Sequence, residues 1–147
     1  MSKQKLAILI LLTSVLLASP KQEFRGAWLA SIYDYWPNSS LTATQQETRL
    51  DSIIDALHAT GYNAIFFQVR PLADALYNSA YEPWAAALTG TEGTAPGWDP
   101  LAKAIDFAHE NGMELHAWIN PFRASWASSS HHSTHVLEEN PEWELVL

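Results

Sequence analysis

The chain has 147 residues, sixteen acidic against eight basic, a formal charge of −8 and no cysteine. Hydrophobic residues make up 48% and charged residues only 16%, the composition of a folded domain rather than a disordered segment. The acidic balance argues against a nucleic-acid partner, which needs a basic face to displace phosphate counterions, and the missing cysteines exclude disulfides, thiolate zinc sites and a cysteine nucleophile.

Lys3 and Lys5 precede an apolar run that ends at Leu17, and the small residue Ala18 follows. A positive start, a short apolar run and a small residue predict a secretory signal peptide over residues 1–18. The run is short for a bilayer span, and no cysteine stands after it to carry a lipid. No membrane anchor is therefore expected after cleavage, and the product is expected to be exported, either periplasmic or secreted.

Residues 23–147 read as repeated strand–helix units. Residues 24–30 predict a buried strand. Thr44, with Glu47 three residues on, predicts a capping box, and Leu50, Ile53, Ile54 and Leu57 recur on one helical face that Gly61 ends. Residues 63–69 form a near-continuous apolar run, the pattern of a strand buried on both faces, stopped by Arg70-Pro71. Asp99 and Pro100 then open a second helix carrying Leu101, Ala104, Ile105 and Ala108, and Asn111-Gly112 closes it. Residues 114–119 predict a third strand, ended by Asn120-Pro121. Strands alternating with helices predict parallel pairing, in an open doubly wound sheet or a closed (β/α)8 TIM barrel. No glycine-rich phosphate loop follows any strand, so an α/β chain holding about the first three units of the barrel is the expected fold.

Side chains alternate along a strand, so Gln68 and Arg70 share one face, and His116, Trp118 and Asn120 another. These polar sets are expected to point into the barrel near the C-terminal strand ends, where barrel sites are built, with Arg123 just beyond. Ile65, Phe67 and Val69, like Leu115, Ala117 and Ile119, suit contact with the outer helices. The long connection from Pro71 to Gly97 carries Tyr77, Tyr81 and Trp84 for stacking, with Asp74 and Glu82 as hydroxyl acceptors. The loop after the first strand offers Tyr33, Asp34, Tyr35 and Trp36. His131, His132 and His135 invite a metal reading, with His132 and His135 sharing a helical face near Glu138 or Glu139. Their serine-rich approach supplies no rigid frame, so neither metal nor cofactor is expected.

Phe24-Arg25-Gly26-Ala27-Trp28, Phe67-Gln68-Val69-Arg70-Pro71, Tyr81-Glu82-Pro83-Trp84, Leu88-Thr89-Gly90, Pro96-Gly97-Trp98-Asp99-Pro100-Leu101 and the run from His116 to Arg123 together resemble the glycosyl-hydrolase-like 10 family. The resemblance runs in order from Glu23 to about Trp126. It implies a (β/α)8 glycosidase-like fold and a polysaccharide substrate, since bacterial members include enzymes that cut peptidoglycan glycan strands stripped of stem peptides. Family domains are longer and continue into an acidic strand of the kind Asp-Gly-Ile-His-Phe-Asp-Asp-Tyr, so the chain looks like an N-terminal part.

Glycoside hydrolysis takes two carboxyl groups. Asp34, Asp74 and Glu82 are the only acids read as lying on rim loops, and none ends a strand, so the catalytic pair is expected beyond Leu147. The rest is substrate positioning. Arg70 and Arg123 suit anionic or hydroxyl groups, Gln68, His116 and Asn120 suit sugar hydroxyls, and Trp84 and Trp118 suit stacking. Two rivals stand beside a glycosidase. A non-catalytic glycan-binding module would use the same aromatics and amides, and a metal-dependent polysaccharide deacetylase would need the histidines to hold an ion.

Overall fold

The computed structural model describes residues 23–31, 36–126 and 130–145. Residues 1–18, expected to be a signal peptide, and Asp34 with its neighbours Tyr33 and Tyr35, lie outside the described residues. Strand β1, Gly26–Leu29, opens the fold. A Cβ on Gly26 would sit 2.7 Å from the Phe66 ring, so only glycine lets the two strands approach here.

Helix α1, Ala43–Ala59, is capped two residues earlier than expected. Thr42 Oγ1 accepts from the Gln45 N–H, and Gln45 Oε1 accepts from the Thr42 N–H at 2.9 Å. Thr42/Gln45 and Thr44/Glu47 both satisfy the capping-box pattern. The earlier start places Gln46 where its amide donates to Leu41 O and Leu88 O, anchoring the helix to a distant loop. Thr60 and Gly61 (φ 89°) end the helix.

Strand β2, Ala64–Arg70, lies in the centre of a parallel sheet of order β1-β2-β3, with Gly26 opposite Ala64 and Ala64 opposite Glu114. A four-residue turn of helix, α2 (Ala86–Thr89), interrupts the loop that follows. Helix α3, Pro100–Glu110, starts as its sequence predicts, with Asp99 Oδ1 accepting from Ala102 N–H at 2.9 Å and Pro100 in the first turn. Strand β3 is Glu114–Ile119, followed by the short helix α4 (Val136–Glu139) and a 3-10 turn, Pro141–Trp143.

The two faces of the sheet are unlike. On one, Ile65, Phe67 and Val69 are buried with Leu50 and Ile54 of α1 and Ala104 and Ala108 of α3 in a single core. On the other, Trp28 stacks on Phe66 at 4.7 Å and meets Trp118 edge-on at 4.9 Å, while Phe66 stacks on His116 at 5.1 Å. That aromatic surface is open, with Trp28 65% exposed. The apolar row of β3 only begins under the helices. Leu115 packs on the core, whereas Ala117 is exposed and Ile119 is half-exposed, because no long helix follows β3 among the described residues. No helix among the described residues is long and apolar enough to cross a membrane.

Candidate functional site

Of the polar residues expected at the rim, Arg70, Trp118 and Asn120 come together, joined by Glu82, and bond one another. Arg70 Nε donates to Glu82 Oε1 in an ion pair whose side chains are 16% and 17% exposed, and Arg70 Nη1 donates to Asn120 O at 2.7 Å. Asn120 Nδ2 donates to Pro71 O at 3.0 Å, and Asn120 Oδ1 accepts from the Trp118 indole at 2.9 Å. Tyr77 Oη donates to the other oxygen of Glu82 at 3.3 Å. Burial raises the Tyr77 phenol above its ordinary value, and the Glu82 charge adds to the rise. Gln68 is fully buried, its Oε1 accepting from Ser31 N–H at 2.9 Å. Its Nε2 has no partner among the described residues.

Other candidates scatter. His116 sits deeper in β3, opposite Phe66, with Nε2 3.0 Å from Glu114 Oε2. Trp84 packs against the core, as does Trp98. Arg123 places its guanidinium 5.2 Å from the centre of the Trp126 ring.

A cleft opens beside this rim, at the C-terminal ends of the parallel strands. Two adjoining hollows of about 510 and 500 Å³ share Leu72, Asp74, Ala86 and Trp126. Ser31 and Asn38–Ser39, after β1, wall the first; Glu92, His131 and His132 wall the second. Asp74 is 4% exposed, and its Oδ1 accepts from Leu72 N–H at 2.9 Å. Burial lifts its carboxyl above the ordinary carboxylate value. The Leu72 N–H bond opposes that rise and the Glu92 charge reinforces it. A carboxyl desolvated in a cleft at strand ends is a mark of functional sites.

Sequence reasoning placed only Asp34, Asp74 and Glu82 on rim loops, and it missed Glu92. The overlooked signal is an acid between Gly90 and Gly93, both at positive φ, within a long loop. Gly93 at φ 80° also leaves room for His132, whose ring an added Cβ would strike. Trp126 was missed as well.

The histidines assemble differently from the expected His132–His135 pair. Glu92, His131 and His135 bring one ligand atom each within 4.8 Å of one another. The His131 and His135 rings, however, lie 3.9 Å apart and only 11° from parallel. In-plane lone pairs on parallel rings do not converge on one ion. His135 Nδ1 accepts from Leu137 N–H, which assigns its proton to Nε2, donated to Leu72 O at 3.0 Å. His131 Nδ1 faces Glu92 Oε1 at 3.4 Å, and Glu92 also accepts from His132 N–H. The group therefore clasps residues 130–135 to the loop after β2 and builds the cleft wall.

The model of the family described as glycosyl hydrolase-like 10 matches residues 23–146. The chain belongs to that family. It is 36% identical over 131 residues to the glycosyl hydrolase YngK of Bacillus subtilis (strain 168), covering 86% of this chain and 26% of the relative. It is 41% identical over 114 residues to the glycosyl hydrolase DigH of Escherichia coli (strain K12), covering 71% of this chain and 26% of the relative. The chain thus spans about a quarter of the length of these family relatives. The cleft, from Ser31 to His132, lies wholly inside the matched stretch.

Proposed function

We propose that the complete protein is an exported glycoside hydrolase acting on bacterial cell-wall polysaccharide, with peptidoglycan glycan strands as its substrate. In this reading the chain supplies the first three βα units of a (β/α)8 barrel and part of the substrate groove. The observation that carries it is the cleft at the C-terminal strand ends, which sets a buried carboxyl, Asp74, beside an exposed indole, Trp126. The names of the relatives favour the same activity.

The chemistry divides between what is here and what is not. Hydrolysis needs one carboxyl to protonate the leaving oxygen and a second to attack or to activate water. Asp74, with its raised pKa, accepts from a sugar hydroxyl when ionised and donates to a sugar oxygen when protonated. The acidic strand implied by the family resemblance supplies the remaining carboxylate chemistry. A barrel also gives the open aromatic face around Trp28 and Phe66 a cover, since the later strands close over it.

The test is to incubate the complete product of the reading frame with glycan strands stripped of stem peptides and to measure new reducing ends. Turnover above a heat-killed blank is expected. Tight glycan binding without new reducing ends would replace the hydrolase with a binding module, and neither would discard both.

A further inference from the structure

The carboxylates of the cleft, Asp74 and Glu92, come from the loop after β2; among the described residues lining the two hollows there is no lysine or arginine, and His131 and His132 line the second. The two acids feel each other, since the Glu92 charge is among the causes that raise Asp74. Both are held in place: Asp74 by Leu72 N–H, and Glu92 by His132 N–H with His131 beside it. Asp74, 4% exposed, accepts from Leu72 N–H through Oδ1 and lines both hollows. Trp126, 54% exposed, forms part of the wall of both hollows, and Arg123 lies over its ring.

We infer that this cleft is a saccharide subsite for an uncharged pyranose, and that Asp74 and Glu92 exclude a carboxylated sugar from it. The inference rests on the polysaccharide reading above and specifies which sugar unit of the chain occupies this place. Trp126 supplies the apolar platform that a pyranose ring covers, and Asp74 accepts from a ring hydroxyl. A sugar bearing a carboxylate would bring a further acidic group into a partly desolvated hollow that Asp74 and Glu92 already line. On a glycan that alternates uncharged and carboxylated units, the cleft therefore sets the register: the uncharged unit sits in it and the carboxylated neighbours lie outside.

The test is binding, read separately from hydrolysis. With the complete protein at pH 8, titration calorimetry compares an N-acetylglucosamine tetramer with a galacturonate tetramer. At least tenfold tighter binding of the uncharged tetramer is expected. Trp126→Ala, at an exposed position, should weaken that binding at least fivefold with an unchanged melting temperature. Asp74→Asn combined with Glu92→Gln keeps acceptors for the Leu72 and His132 N–H groups while removing both charges, and it should bring the two tetramers to within about threefold of each other. Equal affinity for the tetramers in the parent protein, or unchanged discrimination in the double variant, would overturn the charge filter. Undiminished binding by Trp126→Ala would move the subsite elsewhere, even where glycan strands are still cleaved. Conversely, discrimination that follows these variants in a protein producing no reducing ends would keep the subsite and remove the hydrolase.

Discussion

Two polar groupings close the same end of the sheet and differ in where their hydrogen bonds go. In the rim knot, Arg70, Glu82, Asn120 and Trp118 spend their donors and acceptors on one another and on the backbone after β2. In the cleft, Asp74 satisfies one oxygen on Leu72 and lines an open hollow, while the exposed Trp126 forms part of its wall. The difference teaches that polarity on a strand end does not by itself mark a ligand contact. A side chain already saturated by its own fold holds a loop in position, and a desolvated group with capacity to spare is the better candidate for a ligand.

Arg70→Ala gives the sharpest break in that contrast. It leaves Glu82 partly buried without its cation and removes the bond to Asn120 O, so a stability loss of about 3 kcal/mol is expected in denaturant titration. A loss below about 0.5 kcal/mol, with glycan turnover abolished, would turn the knot into a substrate contact. Asn120→Ala removes the Pro71 and Trp118 side-chain bonds, and about 1–2 kcal/mol should go with them.

On the cleft side the expected stability changes are smaller, and one has the opposite sign. Because Asp74 prefers its proton more in the folded chain than in the unfolded one, ionisation works against the fold. Its favourable contribution is complete below the unfolded value of 3.8 and is lost as pH rises through the higher folded value. Asp74→Asn should therefore raise the melting temperature at neutral pH, with the gain vanishing as pH falls toward 3.8. Destabilisation by Asn at neutral pH would mean that the ionised carboxylate is a structural anchor, and the contrast between knot and cleft would fail. Trp126→Ala should leave the melting temperature within about 1 °C, since its ring is 54% exposed. Loss of several degrees would make the indole a packing residue.

Much of this architecture is local and was readable as a one-dimensional pattern. The 3.6-residue spacing of Leu50, Ile54 and Ile53, the Asp99-Pro100 helix start and the apolar run of β2 encode elements whose partners lie a few residues away. Strand alternation likewise placed Gln68 with Arg70 on one strand face, and His116 with Trp118 and Asn120 on another. It could not tell that Arg70 would meet Glu82 twelve residues on and Asn120 fifty residues on, which is what commits these side chains to one another. Even the start of α1 had two equivalent solutions in sequence, and the bonds of Gln46 to Leu41 and Leu88 accompany the one adopted.

The sequence by itself determined the strand–helix order, the parallel sheet and the family, because periodicity, caps and separated motifs survive without long-range contacts. Only the tertiary structure decided the cleft. Asp74, Glu92, Trp126 and His131 come from two loops far apart in the chain, and neither loop has a period that announces it. They meet because the parallel register brings the C-terminal ends of β1, β2 and β3 together, and because His135 and Glu92 clasp the later loop onto the earlier one. Burial, which lifts the Asp74 carboxyl, is a property of that assembled wall rather than of any residue in it.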